Sequence, residues 1–217
     1  GLYTDKKGTQ KVVVACKDFT QDGSKLHEFN KLALSVYEMD KRVNLSIENV
    51  NLVIQSSAFI KDKDDITSRF WDMFVVDALI GNSDRYFDNW GLLEKDGAIC
   101  FAPIYDCGSS LGALLSDEDM EINLKTPDAF KNKEFNITSC YYMNDKRIFY
   151  HEIFKNPLPE LRQAIARIVP FMDMGKICES VNSVESMSDV RKAYLIKAMD
   201  MRYTQILVPA FQKNIIV

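Results

Sequence analysis

Histidine is scarce in this sequence of 217 residues: only His27 and His151 occur, and they stand far apart. The five cysteines (Cys16, Cys100, Cys107, Cys140 and Cys178) form no Cys-x-x-Cys pair, and their number is odd. Together these shortages argue against a zinc site and against a disulfide framework, and the cysteines read as reduced structural thiols. No run of eighteen or more apolar residues exists, so no transmembrane helix is expected. No charged-then-apolar leader opens the chain. The formal net charge of −4 gives no electrostatic footprint for nucleic acid. The expected setting is cytoplasmic, with secretion without a signal peptide left open.

What is present is enough for a core: 47% hydrophobic residues, among them 13 Phe. Lys11 to Phe19 is rich in β-branched residues and reads as a buried strand, with Gly1 to Thr9 as its hairpin partner and the turn at Lys6-Lys7-Gly8. Leu26, Phe29, Ala33, Val36 and Tyr37 recur at spacings of three and four, which predicts an amphipathic helix from about Ser24 to Arg42. A second helix is expected over Ser46 to Ser57, and Lys61 to Asp65 as a solvated linker. Ile66 to Ile80 is apolar on nearly every side and reads as a buried helix ended by Gly81. Beyond residue 111 the pattern weakens. Asp117 to Asn144 shows no sustained period, Ile148 to Phe154 reads as a short helix, and Pro159 opens another carrying Leu161, Ile165 and Ile168. A last helix is expected from the cap Ser188, with Val190, Ile196, Met199, Tyr203 and Ile206 inward and Pro209 as its limit.

The most informative stretch is Asp84-Arg85-Tyr86-Phe87-Asp88-Asn89, followed seventeen positions after Asn89 by Asp106. Between them, Trp90-Gly91-Leu92-Leu93 and Ala98-Ile99-Cys100-Phe101-Ala102 flank Asp96-Gly97, a strong hairpin signal. A hairpin folds back on itself, so Asn89 at its entry and Asp106 past its exit finish at the same end, with Asp84 on the loop just before. Phosphoryl transfer from ATP needs a carboxylate to orient the attacking hydroxyl and oxygen ligands to hold Mg²⁺ against the phosphates. Asp84, Asn89 and Asp106 supply that set. Arg85 reads as a brace paired with a carboxylate, Asp88 as a solvated loop residue, and His27 as an exposed residue on a helix face. Tyr141-Tyr142 and Phe149-Tyr150 read as core or surface aromatics. Asn136-Ile137-Thr138 matches a glycosylation pattern by coincidence.

Gly81-Asn82-Ser83-Asp84-Arg85-x3-Asn89-Trp90-Gly91-Leu92-Leu93, followed by Ala102-Pro103-Ile104-Tyr105-Asp106-x-Gly108-Ser109-Ser110-Leu111, resembles the C-terminal lobe of the HipA-like serine/threonine kinases, a bacterial group that includes toxin kinases of toxin–antitoxin pairs. Within the group it is most similar to the short, stand-alone CtkA-type kinases. The resemblance implies an α+β, protein-kinase-like fold: residues 1–20 as the last strands of an N-terminal lobe and hinge, and residues 21–217 as the helical C-terminal lobe with a catalytic hairpin. It further implies ATP and Mg²⁺ as cofactors, Asp84 as catalytic aspartate, and Asn89 and Asp106 as metal ligands. Adenine would be held around the hinge residues Ala15, Cys16 and Lys17, with Phe19 near the ring. The implied substrate is a protein bearing a Ser or Thr hydroxyl, itself included, and the implied partner an antitoxin or host protein. One departure is Tyr86, where relatives carry His.

A working kinase also needs a phosphate-covering loop and an N-lobe lysine held by a glutamate. Before the hinge stand only Gly1 and Gly8, with no Gly-x-Gly, and Lys6, Lys7 and Lys11 read as turn or strand-edge charges. The first residue is Gly, not Met. The N-terminal lobe is therefore expected to be incomplete and the chain by itself a weakly active fragment. Two other readings stay open. A phosphoinositide kinase shares the Asp-Arg-x3-Asn loop, but the chain is acidic and lacks a basic membrane-facing helix. A non-catalytic pseudokinase or interaction module fits the missing lysine and glycine loop, but not the intact Asp84, Asn89 and Asp106 set.

Overall fold

The computed structural model describes residues 2–12, 16, 18–37 and 44–215. It begins with an antiparallel hairpin, β1 (Leu2–Thr4) and β2 (Gln10–Val12), with Tyr3 opposite Lys11. The Asp5 carboxylate closes its turn by accepting from the backbone N–H of Lys7 and Thr9. The strand does not run on to Phe19, as the β-branched content suggested. Cys16 and Asp18 lie outside any strand, and Phe19 begins a turn fixed by the Asp18 carboxylate, which accepts from Thr20 N–H at 2.8 Å. Ala15 and Lys17 fall outside the described residues.

The larger sheet has the order β3–β4–β5, all antiparallel: β3 (Lys25–Glu28), β4 (Gly91–Lys95) and β5 (Ala98–Phe101). The β4–β5 hairpin turns at Asp96-Gly97, where φ is 51° and 75°, the left-handed pair that Asp-Gly supplies. β3 corrects the helix expected from Ser24. Its residues pair with the hairpin, and α1 starts only at Phe29, running to Tyr37. His27 accordingly stands on a strand, half-buried, with Nε2 2.8 Å from Glu94 and its ring 4.5 Å from that of Phe59.

α2 (Ile47–Ser56) starts where expected, capped by Ser46 Oγ, which accepts from Asn49 N–H at 3.1 Å. α3 (Lys63–Ile80) takes in the last three residues of the expected linker. Asp62 caps it, and Asp64 and Asp65 sit in its first turn, where the helix dipole favours acids. Ile66, Phe70, Trp71, Met73, Phe74, Val75, Ala78 and Leu79 are all buried, so α3 is the central rod, packed along the later helix Pro159–Ile168 and touching α2 and the helix Asp189–Arg202. It ends at Gly81, with φ 69° in the left-handed region.

Past the hairpin, the stretch without a period holds two helices, α4 (Asp117–Lys125) and α5 (Pro127–Phe135), and then β6 (Thr138–Met143) pairs with β7 (Lys146–Phe149). The helix expected from Ile148 is half strand: α6 covers only Tyr150–Ile153. α7 (Pro159–Ile168), α8 (Met174–Asn182) and α9 (Asp189–Arg202) follow. Pro209 does not end the final run, since a π turn over Tyr203–Leu207 leads into α10 (Val208–Ile215).

An aromatic cluster fastens the sheet to α3. Trp90 stacks on Phe29 at 4.0 Å between centroids, lies 5.3 Å from both Phe70 and Phe101, and donates Nε1–H to the Tyr141 hydroxyl at 3.0 Å. Burying such a side chain is worth ~1.5–3 kcal/mol, and correctly oriented aromatic pairs add ~0.5–1.5 kcal/mol. Gly91, next in the chain, is where β3 passes closest. A Cβ there would lie 2.3 Å from the His27 carbonyl oxygen. Gly91→Ala is therefore expected to prise β3 from β4 and cost about 1–3 kcal/mol. Urea unfolding of the variant checks this, and an unchanged midpoint would contradict the close approach.

Candidate active site

The site is built from the C-terminal end of α3 outward. Asp77, close to the C-terminal end of α3, is buried, unlike Asp64, Asp65 and Asp72 of the same helix. Its Oδ1 accepts from Asn82 Nδ2–H at 3.0 Å and from Arg85 at 2.9 Å, and its Oδ2 accepts from Arg85 Nε–H at 2.9 Å. Asn82 is fully buried and extends the chain of bonds: its Oδ1 accepts from Asp84 N–H at 3.0 Å, and its carbonyl accepts from the Tyr150 hydroxyl at 2.6 Å. The loop carrying Asp84 is thus positioned by buried hydrogen bonds on both sides.

Arg85 is the brace the sequence suggested, and it reaches further than one carboxylate. Its Nη1 donates to the carbonyls of Asn89 (2.8 Å) and Tyr105, with Asp106 O at 3.4 Å, and its Nη2 donates to Cys107 Sγ at 3.2 Å. One guanidinium therefore ties α3, the loop ending at Asn89 and the segment after β5. Burial works against its charge, but the double hydrogen bond and the charge of Asp77 outweigh it and raise its pKa above the ordinary arginine value.

The three candidate side chains gather around this clamp. Asn89 Nδ2 donates to the Asp84 carbonyl at 2.6 Å, and the amide oxygen of Asn89 has no hydrogen bond among the described residues. Asp84 is half-buried, and its Oδ2 accepts from Ser109 Oγ–H at 3.0 Å. Asp106 is exposed, at φ 51°, and its carboxylate makes no hydrogen bond among the described residues. A left-handed aspartate is uncommon, and such backbone settings cluster at functional sites. Tyr86 lies half-buried between Asp84 and Asn89, its N–H bonded to Asp84 O at 2.8 Å. Asp88, also half-buried, uses its carbonyl to accept from the Tyr105 hydroxyl at 3.1 Å.

Next to Asp106 opens a cleft of about 640 Å³, lined by Cys16, Asp18, Phe19, Asp22, Ile104 and Tyr105 among others. Cys16 and Phe19 of the expected hinge thus lie beside Asp106, and the rings of Phe19 and Tyr105 are 6.0 Å apart, tilted 34°. Burial first, and then the charge of Glu28, push the Tyr105 phenol up to about 12, so it stays a neutral donor. No group of three or more His, Cys, Asp or Glu suited to a metal ion exists among the described residues. The donors available are Asp106 and the free amide oxygen of Asn89, hard oxygens in the small number that Mg²⁺ takes from protein when phosphates supply the rest.

Sequence reasoning missed Asp77, Asn82 and Tyr105. An acid set among Val75, Val76, Ala78 and Leu79 was a usable signal for the first, since a buried charge demands a partner. The side chains of Asp77 and Arg85 are 2% and 1% exposed. Asp77→Ala should leave the guanidinium buried and unpaired, at a cost of about 3–5 kcal/mol. Glu121→Ala, which removes the exposed Lys125–Glu121 pair, should cost about 0–1 kcal/mol. Denaturant unfolding of both variants measures the contrast, and equal losses would deny the clamp its role.

No family model matches the chain. The serine/threonine-protein kinase CtkA of Helicobacter pylori is 33% identical over 211 residues, which make up 94% of this chain and 65% of that protein. The chain therefore spans just under two thirds of its curated relative's length. The crystal structure of a Helicobacter pylori proinflammatory kinase CtkA superposes with a TM-score of 0.86 at 32% identity, covering 92% of this chain and 74% of the other. The protein-kinase-like fold expected from the motif is the fold observed. With 32% identity and a shared fold over 74% of the solved relative, the chain belongs to the CtkA-type family of serine/threonine-protein kinases.

Proposed function

We propose that the protein transfers the γ-phosphate of ATP to a Ser or Thr hydroxyl of a protein, with Mg²⁺ as the metal, as a toxin- or effector-type kinase. The observation that carries this reading is the Arg85 clamp. It draws the backbone of Asn89 and Asp106 together while Asp84 hangs from the same loop. Phosphoryl transfer asks for that convergence, because positioning and electrostatics supply most of its catalysis.

In this reading Asp84 orients the substrate hydroxyl and receives its proton. Asn89 and Asp106 offer oxygen atoms to Mg²⁺, which, when bound, would neutralise phosphate charge. The adenine would enter the cleft beside Asp106, near Phe19 and Tyr105, with hinge contacts from Ala15, Cys16 and Lys17. Residues 1–20 would close the cleft as N-lobe strands, and residues 21–217 would form the supporting lobe. Tyr86 stands where relatives carry His, so its effect on rate is open to direct measurement. The substrate is a protein, and a host protein is the favoured target, since the solved relative is described as proinflammatory. An antitoxin partner and a cytoplasmic site of action belong to the same proposal. No helix of the described residues is long and apolar enough to cross a membrane, and no observation favours a lipid substrate.

Two substitutions in the full-length protein separate the roles. Asp84→Asn should nearly retain Mg²⁺–ATP affinity while transfer to a generic protein substrate falls by about 10²–10⁴-fold. Transfer at the parent rate would remove Asp84 from the chemistry. Asp106→Ala should abolish the Mg²⁺ dependence of nucleotide binding in calorimetry with the fold intact by circular dichroism. The same Mg²⁺ dependence as the parent would remove Asp106 from the metal site.

A further inference from the structure

A second concavity opens at the N-terminal half of α3, and it shares no lining residue with the cleft beside Asp106. Its volume is about 350 Å³, a size typical of small-molecule sites. Four elements wall it: α2, α3, the β6–β7 hairpin and the start of α7. Ile54, Phe70 and Trp71, each 4% exposed or less, form its apolar floor. Trp71 meets Phe70 edge-on, with ring centroids 5.3 Å apart, so packing holds the indole in one orientation.

The rim is chemically one-sided. Glu48, Asn144 and Glu160 stand exposed there, and no Lys, Arg or His is among the described residues that line the cavity. Each glutamate lies in the first turn of its helix, where the dipole favours an acid. The dipole accounts for either acid alone, but not for two acids of different helices at the mouth of one apolar cavity. Glu48 Oε1 accepts from Asn144 N–H at 3.3 Å, which ties the β6–β7 turn to α2. The Glu160 carboxylate makes no hydrogen bond or ion pair among the described residues.

We propose that this cavity binds a small organic cation, an ammonium group carried on an aromatic or branched aliphatic body. The body removes water from Phe70 and Trp71, a gain that grows with the apolar area covered. The ammonium stays at the mouth, where carboxylate oxygens accept charge-assisted hydrogen bonds. An anion of the same shape meets like charge at the rim, so the site discriminates by sign as well as by size. Four walls around so small a volume admit a compact molecule, whereas a bound peptide needs a free sheet edge or a long groove.

Phenethylammonium serves as the probe, and phenylacetate as its counterpart of opposite charge. Nuclear magnetic resonance of the isotope-labelled full-length protein follows the Trp71 indole N–H, assigned by its loss in Trp71→Phe. The resonance is expected to move to saturation with a dissociation constant of about 1 mM, the order available to so few atoms. Phenylacetate should bind at least about tenfold more weakly. Glu48→Gln combined with Glu160→Gln changes only exposed side chains and should bring the two affinities together. Excess Mg²⁺–ATP should leave the probe's affinity unchanged. A Trp71 resonance that does not move overturns the site. Equal affinities in the parent, or discrimination kept in the double variant, overturn the role of the rim. Displacement by Mg²⁺–ATP puts the probe in the nucleotide cleft and overturns the proposal. So does a resonance that shifts with protein concentration alone, since a second copy would then cover the cavity. None of these readouts uses phosphate transfer, so this proposal and the kinase reading fail separately.

Discussion

The Arg85–Asp77 pair is the interaction on which the site depends. Taking two charges out of water costs several kcal/mol per ion, and mutual attraction repays this only when the remaining donors are also satisfied. Here they are. Nε and Nη2 bind the carboxylate, Nη2 also reaches Cys107 Sγ, and Nη1 serves the carbonyls of Asn89 and Tyr105. A buried ion pair is a poor source of net stability, but it is intolerant of misplacement. The segments it joins cannot shift by a residue without leaving a charge or a carbonyl stranded. The pair thus converts the stiffness of α3 into a fixed geometry for two loops far apart in sequence.

A second buried pair works at the same helix end. Arg202 donates Nη1–H to Glu134 Oε2 at 2.6 Å and Nε–H to the Leu79 carbonyl at 2.7 Å, and Tyr194 donates its hydroxyl to Glu134 Oε1. Burial lowers the pKa of Arg202, while Glu134 opposes the shift. A cation at a helix C-terminus meets the negative end of the dipole and one of the orphan carbonyls. Gly81 belongs to this arrangement, because a Cβ there would lie 3.1 Å from the guanidinium carbon and 2.8 Å from Ile137 Cδ1. The end of α3 is therefore held from two sides, by α9 through Arg202 and by the loop through Arg85.

Which parts of this were readable in the sequence follows from where their causes lie. The β4–β5 hairpin was legible because Asp96-Gly97 is a local instruction, and the α3 core was legible because apolar residues fill nearly all of Phe70 to Ile80. β3 was not, because Leu26, Phe29 and Ala33 satisfy a helical spacing. The pairing of His27 with Leu92 that overrides it is a contact across sixty-five positions. α4 and α5 were missed for a different reason. Among the inward residues of α5 is Glu134, which is tolerated only because Arg202 meets it, so no apolar period advertises the helix. The proline expected to stop the last helix was read from the α-helical hydrogen-bond rule, and a π turn changes that rule locally. The candidate site was legible as residue types at a spacing, and its buried supports were not, since Asp77 and Asn82 act through partners that only the fold supplies.

The two kinds of charge around the site are handled in opposite ways. Asp77, Arg85, Glu134 and Arg202 are buried and joined in two ion pairs, with Arg202 Nη2 left without a hydrogen-bond partner among the described residues. Asp106 carries its carboxylate at the surface on a left-handed backbone, and Asp84 is only half-covered. Water reaches both carboxylates, and neither forms an ion pair among the described residues. Pre-organisation consequently resides in the backbone, through carbonyls gripped by Arg85, and not in side-chain pairs that an incoming group would have to break. A cleft built this way can receive a charged group without first dismantling a salt bridge, so its geometry is set before anything enters it.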